Sequence, residues 1–146
     1  MAVERSIKIA RPPEEVFAFL ADARNDPRWC ATVVACEQLA GDDGPGPDAR
    51  YEARHKPTPF HRVMPRAIEV VEYAPPRLIR WRQEDGNGAF HITYEVEPAA
   101  AGARFTQRDT IKWKVPGPVG RMAERLFVRR HIGEQMEDLK RLLEER

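Results

Sequence analysis

Four polar side chains fall on stretches whose same-face neighbours are mostly apolar: His55 beside Tyr51 and Ala53, Arg66 beside Met64, Ile68 and Val70, and Gln107 and Asp109 between Phe105 and Ile111. If those faces turn inward, each group has to find a hydrogen-bond partner or a ligand. The phenols of Tyr51 and Tyr94 and the indole N–H groups of Trp81 and Trp113 share that position. Opposite charge makes Arg66 and Asp109 a natural buried pair. Together they form either an internal ion pair or the polar lining of a cavity. In a cavity, such a set of arginine, carboxylate, amide and histidine can orient a carbonyl-bearing or phenolic ligand and assist a proton transfer. The catalytic candidates on that reading are Asp109, Arg66 and His55.

Other chemistries find no pattern. No two histidines and a carboxylate stand at a metal-ligand spacing, so no metal is expected. No serine or cysteine sits in a nucleophile elbow. The glycine-rich stretch Gly41–Pro47 is not followed by a helix with a Lys-Ser/Thr start, so it is not a phosphate cradle. Cys30 and Cys36 are spaced neither as a redox pair nor as a zinc knuckle and read as reduced thiols. His61 and His91 fall on loop or solvent faces. No cofactor is expected.

The elements that must hold these residues follow from periodicity. Val3–Ile9 alternates, with Arg5 on the apolar side and expected near the strand's end. Arg11-Pro12-Pro13-Glu14-Glu15 opens a helix ending near Asp22, with Val16, Phe17, Phe19 and Leu20 as its apolar face. Asn25-Asp26-Pro27 is a turn signal, and Trp29 is placed to plug one end of a core. Thr32–Leu39, Arg50–Lys56, Arg62–Tyr73, Leu78–Gln83, Ala89–Glu97 and Ala103–Lys114 read as strands, most with one wet face. Pro65 marks an edge or bulge, and Glu84–Gly88 is a hairpin signal. The order is strand, helical segment, a meander of about six strands, then one long helix. That is an α+β antiparallel sheet with one buried side.

Length fits a single domain spanning residues 1–146. Net charge is +1, from 24 basic and 23 acidic residues. Overall charge therefore gives no case for nucleic acid or an anionic membrane. The N-terminal residues lack an apolar signal core, and no run approaches a membrane span, so a cytoplasmic protein without membrane insertion is expected.

Ile9–Asp22, followed by Asn25-Asp26-Pro27-Arg28-Trp29, resembles the opening of START-like, Bet v 1-like (SRPBCC) proteins, and within them the polyketide cyclase/dehydrase-like group. Glu72–Trp81, Gly102–Thr106 and Leu139–Glu144 fit as well. The resemblance covers the whole chain. It implies a helix-grip fold: a seven-stranded antiparallel sheet curled around a long C-terminal helix, with two short helices after the first strand and a cavity between sheet and long helix. Members bind lipids, polyketides, hormones or quinones, and some are aromatase/cyclases. They share no universal catalytic motif, so the resemblance assigns no catalytic residue.

The implied function is binding of a small hydrophobic or aromatic, polyketide- or lipid-like ligand, with a polyketide cyclase/dehydratase as the alternative. A third reading is self-association, as a homodimer, through the helix or a sheet edge. The sheet residues expected to touch a ligand are Tyr51, His55, Arg66, Ile68, Trp81, Phe90, Ile92, Tyr94, Phe105, Gln107, Asp109 and Trp113.

The last helix, Pro118–Arg146, carries two apolar faces. Val119, Met122, Ala123, Leu126 and Phe127 form the first, and Ile132, Met136, Leu139 and Leu143 the second, offset by roughly 130°. The switch falls at Arg129–Gly133, where glycine weakens a helix. A bend or a change of contact surface is expected there. The first half would cover the cavity mouth, with Met122, Leu126 and Phe127 touching the ligand, and the second half would pack on the sheet and first strand.

Overall fold

The computed structural model describes residues 2–56, 58–86, 88–113 and 118–145. Strand β1 (Ala2–Ile9) leads into helix α1 (Pro13–Leu20), a 3-10 turn (Ala23–Asn25) and the one-turn helix α2 (Asp26–Trp29). Strands β2 (Val33–Ala40), β3 (Arg50–His55), β4 (Met64–Ala74), β5 (Leu78–Asp85), β6 (Gly88–Ala99) and β7 (Gly102–Trp113) follow, and helix α3 (Pro118–Glu144) ends the chain.

Helix α1 starts where Pro13 cannot donate a backbone hydrogen bond and two glutamates face the positive end of the helix dipole. It buries Val16, Phe17, Phe19 and Leu20. The Asp22 side chain then accepts from the Arg24 backbone N–H and caps the 3-10 turn. Asn25 Nδ2 donates to the Phe19 carbonyl at 3.0 Å, which folds the connection back onto α1. The turn expected at Asn25-Asp26-Pro27 is thus the start of α2, with Pro27 inside its first turn.

The seven strands form one antiparallel sheet in the order β1-β7-β6-β5-β4-β3-β2. Register sets which residues share the concave face. One row runs Arg5, Gln107, Tyr94, Ile79, Tyr73, and the next runs Val3, Asp109, Ile92, Trp81, Val70. Arg5 sits mid-strand rather than near the end of β1. Pro65 lies ahead of Ala67–Glu84, the first pair between β4 and β5, so its missing N–H falls where β4 has no neighbour on that side.

Helix α3 packs along β1. Its C-terminal end is tied down by polar contacts: Arg11 Nε donates to the Leu143 carbonyl at 2.8 Å, the Ala10 N–H donates to Glu144 Oε2 at 2.9 Å, and Lys140 Nζ donates to the Lys8 carbonyl at 2.9 Å. Ile132, Met136, Leu139 and Leu143 are buried in the core. The helix is unbroken through Gly133, and the expected change of contact surface is there. Upstream of it, Met122, Leu126 and Phe127 are 68%, 65% and 62% exposed. Once the second apolar face is seated on the sheet, the offset between the two faces turns the first away from the sheet.

Candidate functional site

A cavity of about 380 Å³ lies between the concave face of the sheet, α2 and the middle of α3. Its floor is built on five strands and includes His55, Arg66, Gln83, Phe90, Ile92, Tyr94, Gln107, Asp109 and Ile111. Val128, Ile132 and Gln135 close it from α3, Asp26 and Cys30 from either end of α2, and Thr58 and His61 from the β3–β4 loop.

Of the residues expected to meet a ligand, the structure brings His55, Arg66, Phe90, Ile92, Tyr94, Gln107, Asp109 and Phe127 to this cavity. Tyr51, Ile68, Trp81 and Phe105 are buried in the hydrophobic core instead. Trp81 packs edge-on against Tyr51 and Tyr94, with centroids 6.0 and 6.2 Å apart, and Phe105 meets Tyr94 at 5.2 Å. Tyr94 is therefore where the aromatic cluster reaches the cavity wall. The buried hydroxyl of Tyr51 and indole N–H of Trp81 have no hydrogen-bond partner among the described residues, contrary to the expectation that each would find one. Met122 and Leu126 point to solvent and do not line the cavity. Phe127 reaches its mouth by stacking on His131, with ring planes 2° apart. The side chain of Trp113 lies outside the described residues.

The expected Arg66–Asp109 pair does not form. Arg66 Nη2 donates to Asp85 Oδ2 at 3.0 Å and to His55 Nδ1 at 3.2 Å, and Nη1 donates to Gln83 Oε1 at 3.4 Å. The guanidinium lies over the Phe90 ring, 5.0 Å from its centroid. The arginine is thus engaged by the wall. His55 is held neutral, its pKa pushed down to about 4 by burial and by Arg66. His131 is shifted the same way by burial, and its Nε2 accepts from Gln135 Nε2 at 2.9 Å.

Asp109 accepts one side-chain hydrogen bond, from Gln107 Nε2 at 3.0 Å. Burial raises its pKa to about 6, against the pull of that bond and of Arg66. Asp26 belongs to a turn signal in the sequence, yet it is buried beside the cavity, and burial pushes its carboxyl up to about 8. The Trp29 indole N–H draws it the other way without completing a well-formed hydrogen bond. Two carboxyls in one largely apolar cavity are thereby poised near neutrality. Gln83 continues the period-two line of Ile79 and Trp81 and Gln135 borders the second apolar face of α3, so alternation could have found both, whereas Asp26 carries no periodic signal. Among the described residues, no cluster of His, Cys, Asp or Glu could hold a metal ion. No described helix is long and apolar enough to cross a membrane.

This architecture recurs in solved structures. The Thermus thermophilus protein TTHA0849 superposes with a TM-score of 0.79 at 17% identity, covering 97% of this chain and 95% of that one. The KanY protein gives 0.74 at 23% identity, covering 99% and 97%. Ara h 8.0201 gives 0.72 at 12% identity, covering 98% and 97%. At such identities the likeness establishes the Bet v 1-like helix-grip fold. No curated protein matches the sequence. Residues 1–144 do match a family defined at the sequence level. With the seven-stranded sheet, the long helix and the cavity between them in place, the chain belongs to the polyketide cyclase / dehydrase and lipid transport family.

Proposed function

We propose that the protein binds a small, mainly apolar or aromatic molecule in the cavity between sheet and helix. The supporting observation is the cavity itself: about 380 Å³ walled by Phe90, Ile92, Tyr94, Ile111 and Ile132, with a few polar groups converging on it. A pocket of that size and character suits a small, mainly apolar ligand. The working location is the cytoplasm, where a reducing environment keeps the free thiols of Cys30 and Cys36 as they are. The test is titration with the neutral fluorophore N-phenyl-1-naphthylamine. Saturable one-to-one enhancement is expected, with loss of binding in Val128→Trp, which fills the space from half-buried α3. Absence of saturable binding overturns the reading.

A second reading, a cyclase or dehydratase, is supported by one observation. Asp26 and Asp109 line the same cavity with carboxyls pushed to about 8 and about 6. Environments that separate two such groups are how one site supplies both an acid and a base. Asp109 would act as base and Asp26 as acid, with neutral His55, itself held by Arg66, orienting a carbonyl. Conversion of a linear aromatic polyketone, followed by chromatography, tests it. Turnover should vanish in Asp109→Asn while the melting curve is kept, and absence of turnover in the unmodified protein removes this reading.

A further inference from the structure

We propose that Asp109 and Gln107 form the polar anchor of the cavity, a subsite that takes a hydrogen-bond donor of the bound molecule, an amine or a hydroxyl, and turns carboxylates away. The inference rests on the binding reading above and specifies the chemistry of its ligand.

The first argument is hydrogen-bond accounting. Asp109 is 7% exposed and lines the cavity, and Gln107 Nε2 occupies its Oδ1. Its Oδ2 has no partner among the described residues, yet it is not among the sealed, unsatisfied atoms of the core, so it stays open to the cavity. The bond to Oδ1 also orients the Gln107 amide, whose own oxygen is buried without a donor among the described residues. Acceptors therefore outnumber donors at this spot. Only Oδ2 is open to a ligand, and an O–H or N–H of the bound molecule meets it, whereas an ether or ketone oxygen leaves it unmet.

The second argument is charge. Asp85 and Asp109 line the cavity as carboxylates against one arginine, Asp26 beside them keeps its proton at neutral pH, and Arg66 is already held by Asp85, Gln83 and His55. No cation on the described wall is left to meet an anionic ligand. A carboxylate entering here adds to a surplus of acids in a poorly solvated space. A protonated amine offsets that surplus, and a hydroxyl leaves it unchanged. Tyr94 lies directly across from Gln107 in the β6–β7 ladder and supplies an aromatic surface beside the anchor. Gln107 is a positioning residue in this scheme, and Asp109 is the group that touches the ligand.

Calorimetric titration of the full chain with four naphthalenes differing in one substituent tests the proposal. The probes are 2-(aminomethyl)naphthalene, 2-naphthol, 2-methoxynaphthalene and 2-naphthoate. The amine and the naphthol should bind about tenfold tighter than the methoxy compound, the scale of one hydrogen bond to a charged acceptor, and the naphthoate weakest. Asp109→Leu should erase both preferences, so that the amine, the naphthol and the methoxy compound bind alike. Asp109→Asn should erase the amine's advantage alone if charge dominates, and this separates an amine from a hydroxyl ligand. Naphthoate binding as tightly as the amine overturns the proposal. So does a preference that survives Asp109→Leu. If that variant fails to fold, the ranking in the unmodified protein decides. Binding of methoxynaphthalene without any ranking sinks the anchor and spares the cavity reading, while failure of all four probes sinks both.

Discussion

Gly133 of α3 makes room for Arg5 of β1: a Cβ built at Gly133 would stand 2.5 Å from Arg5 Nη1 and 2.7 Å from its Cζ. Nη1 also donates to the Arg129 carbonyl at 3.3 Å, so a strand arginine on the concave face reaches across to the helix one turn before the glycine. The glycine serves this crossing. Alanine at 133 should gain helix propensity, up to ~1 kcal/mol, and lose the seat of a flexible guanidinium. Gly133→Ala alone should therefore shift stability by less than about 0.5 kcal/mol, and in an Arg5→Ala background it should stabilise by close to ~1 kcal/mol. Urea denaturation of the four proteins of that cycle checks it, and equal effects in both backgrounds would disconnect the two residues.

The cavity acids imply a stability profile with a defined sign. Asp26 is raised to about 8, so the folded state holds its proton more tightly than the unfolded chain. Its contribution is greatest at low pH and declines as pH rises from the unfolded carboxyl range through about 8. Asp109, raised to about 6, behaves alike over a narrower window. His55 runs opposite: lowered to about 4, it makes stability fall as pH drops below its unfolded value of about 6.5. Between about pH 6.5 and about 8.5 the decline should thus belong chiefly to Asp26. Unfolding midpoints should fall across that interval in the unmodified protein and stay nearly flat in Asp26→Asn. An equally steep fall in both would remove Asp26 as the source.

The sheet was legible because most strands keep one wet face, so the period-two pattern gave their number, order and inward residues. The same pattern misplaced the partner of Arg66. Alternation tells which face a residue occupies, not which strand lies beside it. Asp109 on β7 is three strands away from Arg66 on β4, about 14 Å at ordinary strand spacing. Asp85 lies at the end of neighbouring β5. Asp26 was hidden for a different reason. Asn-Asp-Pro is a turn signal, and only the packing of α2 against the sheet turns that aspartate into a buried acid. On α3 the two apolar faces were readable, but which of them would be seated was decided by β1 and by the ties to Leu143 and Glu144.

That choice of face gives a direct comparison along one helix. Leu126 is 65% exposed and Leu139 fully buried. Leu126→Ala should cost less than about 0.5 kcal/mol, as surface changes do. Leu139→Ala should cost about 2–5 kcal/mol, through lost burial and the cavity left behind. Chemical denaturation measures both. A large loss at Leu126 would mean that the first half of α3 is covered in solution.

The pairing of Arg66 can be settled by double-mutant cycles. Asp85 has a side chain 2% exposed, with Arg66 Nη2 and Nε both donating to its Oδ2, at 3.0 and 3.2 Å. Arg66→Met strips the carboxylate of its cation in a poorly solvated place and should cost about 3 kcal/mol. Asp85→Asn in the same chain should recover more than half of that, since the neutral amide no longer needs the charge. The coupling between Arg66 and Asp85 should therefore exceed about 1 kcal/mol. The same cycle with Asp109→Asn should give less than about 0.5 kcal/mol, because no hydrogen bond joins Asp109 to Arg66. Reversal of the two values would restore the pair that strand alternation suggests. It would also engage Asp109 in the wall and leave the cavity without its open acceptor.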